Sequence, residues 1–205
     1  MMKHLIVGLA TMLGLMMQQL PPEADADDGP AAGPAAENLV YLELETGRVT
    51  IALRPDKAPK TVARFKQLIR DDFYDGQIFH RVIEGFMAQT GDPTGTGRGG
   101  SGKNLEAEFN DLPHMRGTVS MARAEDPNSA DSQWFIAFNR LPHLDGDYTA
   151  FGRVIAGMEH VDQIKRGEPP QNPSKIMGIE IAADVDDGAA DAATTQRGSP
   201  EEGGS

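Results

Sequence analysis

The chain has 205 residues, of which 39% are hydrophobic and 24% charged, as in an ordinary globular protein long enough for one domain with appendages. Its formal net charge of −12 argues against recognition of nucleic-acid phosphates, because proteins that bind them present basic patches. The absence of cysteine excludes disulfides, thiolate catalysis and cysteine-ligated metal sites.

The first residues of the chain join a short basic start to an apolar run. Lys3 and His4 precede an uncharged apolar stretch at 5–17. This run is short for a membrane-spanning helix but suits the central region of a signal peptide. We therefore predict a signal peptide over 1–26, and with it a periplasmic or secreted protein that has no stable membrane insertion after processing. A buried N-terminal helix or a membrane anchor is the alternative interpretation.

Two further segments have compositions that do not favour a packed structure. Residues 27–37 are rich in Pro, Ala, Gly and Asp and show no apolar period, which predicts a flexible linker. Residues 182–205 contain Val185 as their only large apolar side chain, so they cannot bury enough surface to offset the entropy of ordering. We predict an acidic disordered tail there and a folded domain over 38–181.

Within the domain, the spacing of apolar residues changes along the chain. Alternating apolar residues at 42–44 and 49–53 flank Thr46-Gly47, which is typical of a β-hairpin. Helical spacing over 62–69 predicts an amphipathic helix, and 158–164 predicts a second, short one. Further β-type runs lie at 78–83, 118–122, 134–138, 149–155 and 175–181. Many short strands without βαβ order favour an antiparallel barrel or sandwich.

A glycine-rich stretch at 95–102, GTGRGGSG, partly matches two nucleotide-binding motifs. Both motifs lead a strand into a helix whose N-terminus holds a phosphate. Here Asn104 stands where the phosphate-binding loop needs Ser or Thr, and the following segment is too short for the helix. We interpret the stretch as a flexible loop whose backbone approaches another group closely.

Other familiar chemistries also lack their sequence patterns. No Gly-x-Ser-x-Gly nucleophile elbow occurs. The five histidines form no HExxH pair and no zinc-like spacing, and each is interpreted as an ordinary loop or strand histidine. We predict no metal and no cofactor.

Four blocks of sequence carry a family resemblance. Residues 79–92, FHRVIEGFMAQTGD, resemble the signature of cyclophilin-type peptidyl-prolyl isomerases. GTVSMARA at 117–124, NSADSQWFI at 128–136, and LDG with FGRV at 144–146 and 151–154 follow in that family's order. The resemblance implies a mainly β fold, a closed eight-stranded antiparallel β-barrel capped by two α-helices.

The resemblance also implies an active site for proline-containing polypeptides in which Arg81 is catalytic. Its proline pocket would be formed by Phe86, Met87, Phe135 and Leu144. Residues that bond the substrate backbone or line the preceding groove would be Gln89, Gln133, Ala122, Arg123 and Ala124. The predicted substrate-binding set is completed by His80, His143 and Tyr148. Of these, His143 and Tyr148 replace a tryptophan and a histidine of the best-known eukaryotic members, as in bacterial members.

The chemistry of prolyl isomerisation explains why these residue types suit the task. Rotation about a peptide bond must overcome a barrier of about 18–20 kcal/mol but makes and breaks no bond to carbon, so neither nucleophile nor base is required. An apolar surface favours the twisted amide, and a guanidinium can donate to the prolyl nitrogen. We predict a monomeric isomerase that assists folding of exported proteins.

Two alternatives to this prediction remain. The chain could be a proline-peptide-binding or chaperone module in which turnover is incidental. At the level of the single residue, Arg81 could serve only to pair with an acid such as Glu84.

Overall fold

The computed structural model describes residues 33–185. The predicted signal peptide at 1–26 therefore lies outside the described residues, as do 27–32 of the predicted linker and 186–205 of the predicted tail. Within 33–185, no helix is long and apolar enough to cross a membrane.

The described part of the chain forms one mainly β unit. Its strands are β1 (Leu39–Leu44), β2 (Gly47–Leu53), β3 (Arg81–Ile83), β4 (Met87–Thr90), β5 (Thr118–Met121), β6 (Trp134–Ala137), β7 (Ala150–Ala156) and β8 (Ile176–Ile181). Its helices are α1 (Pro59–Arg70) and the single turn α2 (Met158–Val161). Short 3₁₀ turns lie at Ala36–Asn38 and Pro142–Leu144.

The eight strands form a single curled sheet in the order β3-β4-β6-β5-β7-β2-β1-β8, and every neighbouring pair is antiparallel. The predicted closure of the barrel is wrong, because β3 and β8 are opposite edges and do not pair as strands. Isolated bridges, Ile78 with Lys175 and Val82 with Gly167, span part of the gap. β3 has only three residues, and the chain facing it contains Pro169 and Pro170, which have no N–H to donate. The fold is a half-barrel that stays open at this edge.

Two predicted elements are confirmed with small changes. The β1–β2 hairpin forms with Leu44 opposite Gly47, so the turn is one residue earlier than Thr46-Gly47. Helix α1 starts with Pro59 in its first turn, where a missing N–H is harmless, and buries its apolar face including Phe65. In contrast, β4 was not predicted as a strand, and the run at 78–83 forms a strand only from Arg81.

Aromatic side chains fill the centre of the main core. The ring of Phe65 lies 5.0 Å from that of Phe151, 5.3 Å from Tyr74 and 5.5 Å from Trp134, at tilted or edge-on angles. Aromatic pairs in such geometries stabilise the fold beyond the burial of their apolar surface. Helix α1 is thereby packed against one face of the sheet, and the other face is left for a second apolar cluster.

Candidate active site

Strand alternation places a second, smaller apolar cluster on the face of β4 and β6 that points away from the main core. Trp134 belongs to the main core, while its neighbour Phe135 belongs to the second cluster. On β4, Ala88 belongs to the main core and its neighbour Met87 to the second cluster. Successive side chains of a strand point to opposite faces, so two adjacent strands supply both clusters. The second cluster is the floor of the candidate site.

A small cavity of about 100 Å³ opens over this floor. Its size is modest beside the roughly 300–1,000 Å³ of ordinary small-molecule sites, which suits a single ring. Its walls combine two arginines, an amide and aromatic groups with apolar side chains: Arg81, Phe86, Met87, Gln89, Ala122, Arg123, Phe135, Leu144 and Tyr148. All of these residues belong to the site predicted from the sequence. We call this cavity the proline pocket, after the role that the sequence resemblance predicts for it.

Arg81 stands at the start of β3, directly across from Gln89 on β4. Its Nε donates to Oε1 of Glu168 at 2.7 Å, and its Nη1 lies 3.4 Å from Oε1 of Gln89. The guanidinium carbon lies 5.8 Å from the centre of the Phe86 ring. Glu84, the acid suggested by the sequence, instead accepts from Nε of Arg166 at 2.7 Å. The partner of Arg81 is therefore an acid 87 positions later in the chain.

Two glutamines extend this contact into a chain of hydrogen bonds. Nε2 of Gln89 donates to Oε1 of Gln133 at 2.8 Å. Nε2 of Gln133 then donates to the carbonyl oxygens of Gly97, at 3.1 Å, and Gly99, at 2.8 Å. Hydrogen bonds in such a chain polarise one another. Arg81 is thus linked to the glycine-rich loop through both predicted backbone-binding glutamines.

The buried carboxylate of Asp92 holds the glycine-rich loop in place. Asp92 accepts from the backbone N–H groups of Thr94 at 2.7 Å, Gly97 at 2.6 Å and Gly99 at 3.1 Å. Burial tends to raise the pKa of Asp92, but the hydrogen bonds from Thr94 and the loop backbone outweigh it and lower the pKa to about 2. The N–H groups of Gly97 and Gly99 are therefore already engaged and are not available to a phosphate. The loop's backbone instead lines a groove.

This groove, of about 470 Å³, adjoins the proline pocket and shares Gln89, Ala122 and Arg123 with it. Ala124 and Gln133, both predicted for the site, also line it. Arg123 is fixed at the junction: its Nε donates to the carbonyl of Asp147 at 3.1 Å, and its guanidinium lies 4.7 Å from the Tyr148 ring. An extended peptide that places a ring in the pocket would run directly into the groove.

The two histidines predicted for the site, His80 and His143, line neither the proline pocket nor the groove. His80 is 5% exposed and lines neither cavity; burial lowers its pKa. His143 is exposed and stacks on Phe86 with ring centres 5.9 Å apart, at the rim of the proline pocket. His143 is connected to the pocket wall through its stacking on Phe86 and through its chain neighbour Leu144.

His114, interpreted from the sequence as an ordinary loop histidine, supports the pocket from below. Its buried ring stacks on Phe135 with centres 6.2 Å apart. Nδ1 lies 3.2 Å from Oδ1 of Asp145, and Nε2 lies 2.9 Å from Oγ of Ser120. Burial lowers the pKa of His114 despite the neighbouring carboxylate. Ser120 Oγ has one proton, and both Nε2 of His114 and the Thr149 carbonyl, at 3.0 Å, lie within its reach as acceptors. The Thr149 carbonyl also accepts from Met121 N–H, so a neutral ring that donates from Nδ1 to Asp145 and accepts from Ser120 leaves none of these groups unpaired.

The Ser120–His114–Asp145 arrangement has the connectivity of a hydrolase triad but cannot act as one. Ser120 and His114 are each completely buried beneath the pocket floor. A nucleophile must reach its substrate, so these groups have a structural task. Among residues 33–185, no cluster of three or more His, Asp or Glu side chains could hold a metal ion.

Comparison with known proteins decides the family. The family model for "Cyclophilin type peptidyl-prolyl cis-trans isomerase/CLD" matches residues 39–182. This chain belongs to the cyclophilin family. A probable peptidyl-prolyl cis-trans isomerase of Brucella suis is 48% identical over 166 residues, covering 73% of this chain and 85% of the relative. A Synechococcus elongatus peptidyl-prolyl cis-trans isomerase is 44% identical, covering 70% and 96%.

Solved structures of other cyclophilins agree with the fold. Cyclophilin AquaCyp293 from Hirschia baltica superposes with a TM-score of 0.69 at 29% identity, covering 74% of this chain and 76% of that one. A Cryptosporidium parvum cyclophilin type isomerase, crystallised in the presence of the dipeptide Ala-Pro, gives a TM-score of 0.65 at 34% identity, covering 70% and 98%. The family and its named members support peptidyl-prolyl cis-trans isomerase activity on proline-containing peptides.

Proposed function

We propose that this cyclophilin accelerates rotation about X-Pro bonds by burying the proline in the pocket over Phe135 while Arg81 donates to the prolyl nitrogen. The observation that carries the proposal is the convergence of a ring-sized cavity with an apolar floor and a guanidinium on its wall. The adjoining groove is suited to the residues that precede proline.

Each part of the site acts more strongly on the twisted amide than on the planar one. Twisting breaks the resonance of the amide, which leaves a lone pair on nitrogen and reduces the charge on oxygen. A donor directed at that nitrogen stabilises the transition state selectively, and so does a pocket that excludes water. Arg is suited to the role because it stays charged and its fork of N–H donors is rigid.

The size of the arginine's contribution can be bounded. A charge-assisted hydrogen bond contributes about 1.5–3 kcal/mol net, which corresponds to roughly ten- to a hundredfold in rate. The pocket must supply the remainder of a larger acceleration. Arg81 is accordingly one of several contributions.

Substitution of Arg81 tests the proposal. Arg81→Ala is expected to lower kcat/KM for an Ala-Pro peptide by about tenfold or more in a protease-coupled assay, with the unfolding midpoint unchanged. The matched control is Arg153→Ala, which removes an exposed arginine on β7 that lines neither cavity. Equal activity of the Arg81→Ala variant and the wild type would overturn the assignment of Arg81. If the chain is instead a peptide-binding module, the wild type and the Arg81→Ala variant should both bind the peptide, and neither should accelerate its isomerisation.

We also propose that the protein assists folding of exported proteins as a periplasmic or secreted monomer. Support comes from the basic start and apolar run at 5–17, which have the form of an export signal. Mass spectrometry of the N-terminus of the protein from its native host tests this directly. Removal of a segment close to 1–26 is expected, and an intact Met1 on all recovered chains would contradict export by this signal.

A further inference from the structure

The open edge of the half-barrel brings an acidic side chain to the proposed catalytic arginine. Val82, next to Arg81 on β3, exchanges two backbone hydrogen bonds with Gly167, each of 2.8 Å. Glu168 follows Gly167 directly and faces Arg81 across this bridge. The irregular segment that replaces a full strand pairing is thus the one that delivers the acid.

The backbone of this segment is constrained at Gly167. Its φ is +145°, and a Cβ there would lie 2.6 Å from Cα of Pro170, so a larger residue would displace the turn. Pro170 is itself buried. The position of Glu168 therefore depends on a bridged and anchored backbone as well as on its own flexible side chain.

The contact also determines which donors of Arg81 remain for a substrate. Arginine has five N–H donors in a rigid plane. Glu168 accepts from Nε at 2.7 Å, and Gln89 approaches Nη1 at 3.4 Å. The plane is thus held at two points, while Nη2 has no hydrogen bond to any side chain or backbone group within 33–185, and Arg81 lines the pocket. A side chain that is already oriented loses less entropy when the transition state forms.

We propose that Glu168 is a positioning residue that holds Arg81 in its productive orientation; this inference rests on the proposed function. Its negative charge has an opposing effect, because it weakens the positive field of the guanidinium at the prolyl nitrogen. Glu168→Gln separates the two effects, since the amide oxygen can still accept from Nε but carries no net charge. Positioning predicts that Glu168→Ala loses turnover and that Glu168→Gln retains it.

A double-mutant cycle between Glu168 and Arg81 gives the sharpest test. Glu168→Ala is expected to lower kcat about three- to tenfold while the dissociation constant for an Ala-Pro peptide and the unfolding midpoint stay the same. Glu168→Gln is expected to remain within about twofold of wild type. In the Arg81→Ala background, Glu168→Ala should have no further effect, because a residue that acts through Arg81 has nothing left to position.

Glu84 offers a matched control for charge. It is an exposed acid just beyond β3 that pairs with Arg166, so Glu84→Ala removes the same charge without touching Arg81. It should leave kcat unchanged. Equal losses for Glu84→Ala and Glu168→Ala, or a Glu168→Ala loss that persists without Arg81, would overturn the positioning role.

The same measurements separate this inference from the proposed function. If Arg81→Ala retains full activity, the proposed role of Arg81 is wrong. The role of Glu168 is then wrong as well, because there is no catalytic contribution of Arg81 for Glu168 to support. If Arg81→Ala is impaired while Glu168→Ala turns over at the wild-type rate, only the role of Glu168 is wrong.

Discussion

The two sides of the proline pocket are built in different ways. On one side, Phe135 is 4% exposed and rests on the buried His114 ring, which Asp145 and Ser120 hold in place. On the other, the side chain of Arg81 is 42% exposed and is held by the exposed Glu168. One wall is an extension of the interior, and the other is an ion pair at the surface.

This difference separates stability from catalysis. A substitution in the buried wall removes packing and hydrogen bonds that maintain the fold, so its effects on binding and unfolding are coupled. A substitution in the exposed wall breaks a surface pair that contributes only about 0–1 kcal/mol to stability. The surface wall can therefore be varied to study chemistry with the fold intact.

The largest expected effect is on the buried wall at Phe135. Phe135→Ala should reduce the free energy of unfolding by about 3–5 kcal/mol, because it leaves a cavity beneath the pocket, and should abolish measurable binding of an Ala-Pro peptide. Urea denaturation and calorimetry check the two parts. Phe151→Ala, in the main core, is the control: its loss of stability should be similar, and its folded fraction should still bind peptide. A folded Phe135→Ala variant with wild-type affinity would contradict the account of the pocket.

A smaller effect is expected at His114. His114→Phe keeps an aromatic ring beneath Phe135 but removes one hydrogen-bond partner of Ser120 and one of Asp145, so it should reduce the free energy of unfolding by about 1–3 kcal/mol. Nitrogen NMR of the wild-type imidazole should show the tautomer protonated at Nδ1. An Nε2-protonated ring, or an unchanged stability of the variant, would show that the hydrogen-bond assignment is wrong.

The third expected effect, the smallest per histidine and pH unit, is a dependence of stability on pH. Burial lowers the pKa of His114 and of His80 below the ordinary 6.5. Below about pH 6.5 the unfolded chain therefore binds protons that the folded chain does not, so stability falls as pH falls, by up to about 1.4 kcal/mol per pH unit for each histidine. Above that pH both rings are neutral in both states and the dependence disappears. Urea denaturation between pH 5 and 8 checks this, and His114→Phe should have a shallower slope; identical slopes would exclude His114 as a source.

The sequence predicts the hairpin, α1, most of the strands and the pocket residues because these depend on local spacing and on one motif-rich stretch. Trp134 and Phe135 are adjacent in the sequence, and strand alternation is enough to predict that their side chains lie on opposite faces of the sheet. Glu168 could not be predicted, since its contact depends on an irregular segment 87 positions from Arg81. His114 and Asp145 are likewise 31 positions apart, with no spacing pattern to connect them. Barrel closure was predicted wrongly, because the prolines opposite β3 limit pairing there in a way that a family pattern does not reveal.

The central claim is that the surface wall performs the chemistry, and exchange NMR on an Ala-Pro peptide tests it without a coupling protease. Catalytic amounts of wild-type protein at pH 7 should bring the cis and trans proline signals into exchange. Arg81→Ala, confirmed as folded and able to bind the peptide, should lower the exchange rate by about tenfold or more. Equal exchange rates for the two proteins, or no exchange with either, would contradict the account.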